Sequence, residues 1–140
     1  MKRGAIIDTG PLVAILNRND EYHAWSVDQL KGISGSLLTC ESVISEAFFL
    51  LRKTRNGADQ LEIMLTKGVI IVEFSLHQEL KHVCKLLSKY RNVPMSLADA
   101  CMVRMAEIHS KHRIFTLDSD FHIYRQNRNR PISVVIPDDR

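Results

Sequence analysis

"GAIIDTGPLVAILN", residues Gly4 to Asn17, decides the fold. Ala5, Ile6 and Ile7 form a short apolar run that suits a buried strand. Asp8 stops that run. The residues that follow read as a helix, with Pro11 in the first turn, where a missing N–H costs nothing. Asp8 therefore stands at a strand end, just before a helix start whose dipole favours an anion. For Asp8 alone, a capping or turn role is the ordinary explanation.

Further along, the pattern repeats. "SLLTC" (Ser36 to Cys40), "VIIVEF" (Val69 to Phe74), "RIFTL" (Arg113 to Leu117) and "ISVVI" (Ile132 to Ile136) each read as a strand. Between them lie helical segments. Asp20 opens one that Gly32 closes. "ESVISEAFFLLRK" carries Ile44, Ala47, Phe48 and Leu51 at helical spacing, and "ADQLEIMLTKG" continues to Gly68. Ser75 and Gln78 predict a capping box, and Ser96 opens "LADACMVRMAEIHSK". Strands alternating with helices predict an α/β fold: a parallel sheet of about five strands, with helices on both faces. The 140 residues fit one domain spanning 1–140, with "PDDR" expected to be a loose tail.

Composition narrows the function classes. A net charge of +3 is too mild to imply nucleic-acid binding without favourable placement of the basic residues. Cys40, Cys84 and Cys101 are scattered among apolar residues with no CxxC pair, so all three are expected to be small buried side chains in a reducing cytoplasm. The six histidines make no HExxH. Lys2 and Arg3 precede an apolar run that Asp8 ends too early for a signal peptide. No apolar stretch has the ~18 residues needed to span a bilayer. A soluble, cytoplasmic protein with no membrane association is the expectation.

The informative residues are acids that interrupt apolar patterns. Glu46 shares a helical stripe with Val43 and Leu50 and adjoins Ala47, which predicts a carboxylate at or near the buried side. Asp99 stands with Met102, Val103 and Ala106 at helical spacing, in the first turn after Ser96, where capping also explains it. Asp118 follows the fourth strand as Asp8 follows the first, and Asp120 lies two residues on. In a parallel sheet the strand-end acids can share one edge, where ligands bind. Carboxylates crowded together repel, and a divalent cation makes them tolerable. All-oxygen ligands suit Mg2+ or Mn2+, and such an ion can hold a phosphate oxygen and activate water. Phosphate-ester hydrolysis fits that chemistry.

"IIDTGPLVAILN", "ISEAFFLL", "MSLADACMVRMAE" and "IFTLDSDF" resemble the four signature segments of PIN domains, and more narrowly those of VapC-type toxins, the ribonuclease half of toxin–antitoxin pairs. The resemblance runs from Gly4 to about Ile136. It implies the PIN fold and places the family's four acids on Asp8, Glu46, Asp99 and Asp118, around one or two Mg2+ or Mn2+ ions. It places the family's hydroxyl on Thr116, beside Asp118, and puts Asp120 at a position that is acidic in only some members. His23 and Trp25, in "YHAW", are read as packing residues. The resemblance further implies an RNA substrate, a homodimer and an antitoxin that covers the active site.

On this reading Asp8, Glu46, Asp99, Asp118 and Thr116 are the catalytic residues, and Asp120 is a further metal ligand. Arg125, Arg128 and Arg130 of "YRQNRNR" are the candidate RNA-binding residues, while Lys81, Lys85 and Lys89 read as a solvated helix face. The competing readings are a PIN ribonuclease of RNA processing with no antitoxin, and a non-catalytic RNA-binding module. A haloacid-dehalogenase-like enzyme needs DxD after its first strand, where "IIDTG" has one acid. A response receiver needs an acidic pair before its phosphorylated aspartate and a lysine after a late strand, an arrangement that does not occur. A P-loop enzyme needs a GxxxxGK[ST] loop, which is missing.

Overall fold

The structure is a computed structural model, described over residues 4–140. Lys2 and Arg3 lie outside the described residues. In chain order the elements are β1 (Ala5–Ile7), α1 (Thr9–Leu16), α2 (His23–Lys31), β2 (Leu37–Leu38), α3 (Glu41–Leu51), α4 (Gly57–Thr66) and β3 (Ile70–Ile71). Then come α5 (Leu76–Lys89), α6 (Leu97–Ile108), β4 (Arg113–Phe115), a 3-10 turn (Ser119–His122), β5 (Arg125–Gln126), β6 (Arg130–Pro131) and β7 (Val134–Val135).

Five strands form one parallel sheet in the order β3-β2-β1-β4-β7, flanked by helices. β1 is central, with Ile6 opposite Leu38 on one side and Ile114 on the other. Ile6, Ile7, Leu37, Ile70, Ile114 and Phe115 are buried. Strands covered on both faces read as continuous apolar runs, and that is why they were legible in the sequence. Helix α1 packs against α2, α3 and α4, while α6 packs against α5 and lies on β1 and β4. His23 donates from Nδ1 to the Ala14 carbonyl oxygen at 2.7 Å, and Trp25 meets Phe115 edge-on, so both pack as expected.

The chain builds outward from β1 through β2 to β3, then returns to place β4 on the other side of β1. The order reverses between β1 and β4. In open α/β sheets, the crevice beyond the carboxyl ends of strands at such a reversal is where ligands bind. Asp8 leaves β1 there, and Asp118 lies three residues beyond the end of β4.

Several local expectations are corrected. Helix α2 begins at His23, because Asp20 accepts the Tyr22 N–H in a turn of its own instead of capping the helix. Ser75 caps α5 through the Gln78 N–H at 3.2 Å without a reciprocal bond, whereas the full capping box forms at Ser96 and Asp99 of α6. Cys40 and Cys101 are buried, but Cys84 is exposed on α5. "RQNRNR" is an antiparallel hairpin of β5 and β6, its turn made by Asn127 and Arg128 at positive φ. The tail is held in part: Pro137 is buried, and the Tyr22 hydroxyl bonds Asp139 at 3.1 Å. Among the described residues, no helix is long and apolar enough to cross a membrane.

Candidate active site

The Asp8 N–H donates to the Phe115 carbonyl oxygen at 2.9 Å, which fixes Asp8 at the edge of the β1–β4 pair. Its carboxylate accepts from the Thr9 N–H at 2.8 Å through Oδ1, and from the Thr116 hydroxyl at 2.7 Å through Oδ2. Thr116 is fully buried, and its hydroxyl also accepts the Asp118 N–H at 3.0 Å. One hydroxyl therefore ties the acid after β1 to the loop carrying the acid after β4. Asp118 in turn accepts the Asp120 N–H at 2.9 Å and caps the 3-10 turn.

Asp99 enters from α6. It is buried and completes the capping box: the Ser96 hydroxyl accepts the Asp99 N–H at 3.0 Å, and Asp99 Oδ2 lies 3.5 Å from the Ser96 nitrogen. The same Oδ2 accepts from the Tyr124 hydroxyl at 2.9 Å. Tyr124 is fully buried, edge-on to both Phe121 and Tyr90. Burial first, then the bond to Asp99, pushes the Tyr124 phenol up, so at neutral pH it stays a donor. Nothing in the sequence points to this residue, which stands as an aromatic at the head of a basic run.

The acids sense one another. Burial raises Asp8 to about 6; the Thr116 and Thr9 donors oppose that rise, and the charges of Asp99 and Asp118 add to it. Burial also raises Asp99; the Tyr124 hydroxyl opposes that, and the Asp118 charge adds to it. Among the described residues, no salt bridge reaches Asp8, Glu46, Asp99 or Asp118.

Asp8, Glu46, Asp99 and Asp118 line one cleft of about 560 Å3. The sequence-predicted set of four does converge. Glu46, however, is exposed on the cleft rim, because its stripe runs from buried Val43 outward to exposed Leu50. Asp120 is not among the lining residues. Gly10 is, and a Cβ there would meet the Leu117 side chain at 3.1 Å, so glycine lets α1 start close against the β4 loop. Arg140 also lines the cleft, its guanidinium 5.2 Å from the Tyr22 ring. A larger cavity of about 630 Å3 lies beside Tyr22 and Trp25 and touches none of the four acids, so size alone does not locate the chemistry.

The three arginines are placed differently. Arg125 donates to the carbonyl oxygens of His122, Ile123 and Tyr124, so its guanidinium closes the 3-10 turn. Arg128 and Arg130 are exposed on the hairpin. The hairpin is tied to α6 by the Asn127 N–H donating to Glu107 at 2.7 Å, and none of the three arginines lines the cleft.

The donor set fits a hard divalent cation: oxygen ligands only, mutually repelling, with no cation paired to them. Among the described residues, no three acid, histidine or cysteine side chains stand close enough to enclose one ion. An ion there would be held by one or two carboxylates and otherwise by water.

The chain belongs to the PIN domain family, whose model matches residues 5–126. Among solved structures, its fold is similar to that of Mycobacterium tuberculosis VapC20, described as a sarcin-ricin loop cleaving toxin. The TM-score is 0.75 at 20% identity, over 93% of this chain and all of that one. Comparison with curated protein sequences gives no match.

Proposed function

We propose that this PIN domain is a Mg2+- or Mn2+-dependent endoribonuclease, the toxin of a type II toxin–antitoxin pair. One observation carries the reading: three acids that repel one another, with no cation partner among the described residues, meet at the reversal point of a parallel sheet, and a fourth stands on the same cleft. A structural role does not require acids to be gathered unpaired; a cation site does. Family membership and the VapC20-like fold support the choice of RNA as substrate and of an antitoxin as partner.

Asp8, Asp99 and Asp118 would hold the ion, directly or through water, and Glu46 would complete the site from the rim. When bound, the ion supplies neutralisation of the scissile phosphate and acidification of the attacking water. The chain's own work is orientation. Thr116 fixes the Asp8 carboxylate while holding the Asp118 backbone, and Tyr124 fixes one oxygen of Asp99. Both are donors that keep the carboxylates aimed without neutralising them. Asp120 acts through its N–H on Asp118, or binds a second ion once substrate is present. Arg128 and Arg130 stand exposed for RNA phosphates, and Arg125 closes the 3-10 turn that precedes their hairpin. A homodimer is the expected assembly.

The test is expression of the wild type and Asp8→Asn, followed by mapping of new RNA 5′ and 3′ ends. New ends with the wild type and none with Asp8→Asn support the reading. Equal cleavage by the two proteins sinks it. Relief of growth arrest by a small adjacent gene separates a toxin from an RNA-processing nuclease.

A further inference from the structure

A third cavity, of about 600 Å3, opens at the far end of α1, between its last turn and the α3–α4 connection. Asn17, Arg18, His23, Arg55, Asn56 and Gln60 are among its lining residues, and no aspartate or glutamate is. Its chemistry is the inverse of the acidic cleft. Arg18 and Arg55 are exposed, and among the described residues neither has a carboxylate within salt-bridge distance. Other arginines are committed elsewhere: Arg52 to the Phe49 carbonyl and ring, Arg104 to Glu79 and Glu107, Arg125 to three carbonyls.

Asn17, Asn56 and Gln60 add side-chain amides to the lining. Asn56 turns the backbone at φ 61° to start α4, and Asn17 holds the Asn19 N–H at 3.1 Å. His23 adds no donor: its Nδ1 donates to the Ala14 carbonyl, which leaves Nε2 of the neutral ring an acceptor. A concave surface with two free guanidiniums, several amides and no acid is built for a phosphate.

We infer that this cavity is a phosphate-binding subsite that holds the RNA strand away from the scissile bond. The inference rests on the ribonuclease reading. Helix α1 spans the gap: Thr9 opens it at the acidic cleft and Leu16 closes it at the cavity, about 12 Å along the axis at the usual helical rise. A few nucleotides of single strand cover that length. The four acids repel the RNA backbone locally, and binding strength must then come from cations set at a distance.

The test is fluorescence anisotropy of a labelled single-stranded 20-mer in EDTA, so that no cleavage is needed, with salt varied. Arg18→Ala/Arg55→Ala is expected to weaken binding several-fold and to reduce the slope of log affinity against log salt by about 1.4, two phosphates' worth for a single strand. Arg18→Lys/Arg55→Lys is expected to restore most of the slope, which a merely structural role would not do. Equal slopes for the wild type and the double alanine variant overturn the inference, as does a wild type with no salt-dependent binding. The nuclease reading fails separately, on Mg2+-dependent cleavage by wild type and Asp8→Asn.

Discussion

Helix α6 carries carboxylates at both ends and treats them in opposite ways. Near its end, Glu107 shares Arg104 with Glu79 of α5, at 3.3 Å and 2.7 Å. In its first turn, roughly 12 Å along the axis, Asp99 has only hydrogen-bond donors: Tyr124 and the Ser96 backbone. At the far end the chain supplies the Arg104 guanidinium. At the cleft it supplies neutral donors that orient without cancelling charge, and it adds Asp8 and Asp118 close by. Unpaired, partly buried charge opposes stability, and the proposed function accounts for it as a site kept for a ligand.

The sharpest way to break this contrast is to remove orientation and leave charge. Thr116→Val keeps the volume and deletes the donor to Asp8 and the acceptor for the Asp118 N–H. Cleavage is expected to fall by about 10–100-fold, the usual effect of removing a residue that orients a metal ligand. Single-turnover kinetics at saturating Mn2+ measure this; an unchanged rate means that Thr116 does not set the carboxylate geometry.

The next effect concerns protons. Asp8 in the folded, ion-free protein titrates near 6, above its ordinary value of 3.8. The folded state therefore holds the proton more tightly. The stability this contributes is fully present below about pH 4 and is lost as pH rises through about 6. The thermal midpoint in EDTA is expected to decline over that window, and the decline is expected to be shallower in Asp8→Asn, where Asp99, shifted in the same direction, remains. Identical profiles for the two proteins contradict the environment assigned to Asp8.

The smallest effect lies at the paired end. Arg104→Met is expected to cost about 1 kcal/mol or less, as for partly exposed ion pairs, and to leave Mn2+ binding untouched. Chemical denaturation with a parallel metal titration checks both. A changed metal affinity means the two ends of α6 are coupled.

The legibility of the sequence follows the same division. β1 and β4 could be read because strands buried on both faces are unbroken apolar runs, and Asp8 and Asp118 stand out by ending them. Asp99 could be read as a cap or as a site acid, and it is both placed by the capping box and turned into the cleft. Glu46 was misread as near-buried because helical spacing gives a stripe and not the point where that stripe meets solvent. Tyr124 was missed because its partner, Asp99, lies 25 residues away and no periodicity links them. Arg125 was expected to face RNA because a local string of arginines does not reveal the carbonyls of a turn still to form. The exposed thiol of Cys84 escapes for a similar reason: side-chain direction at a helix surface is set by packing from elsewhere.

In the proposed function, Asp8, Asp99 and Asp118, with Glu46 at the rim, form a cation site. Titration of the metal-free protein with Mn2+, followed by the electron paramagnetic resonance signal of free Mn2+, tests it most directly. The wild type is expected to remove Mn2+ from solution and to gain thermal stability as it does so. Asp8→Asn is expected to lose most of that binding while being at least as stable as the metal-free wild type at pH 7. A wild type that leaves the Mn2+ signal unchanged, or an Asp8→Asn protein that binds as the wild type does, contradicts the account.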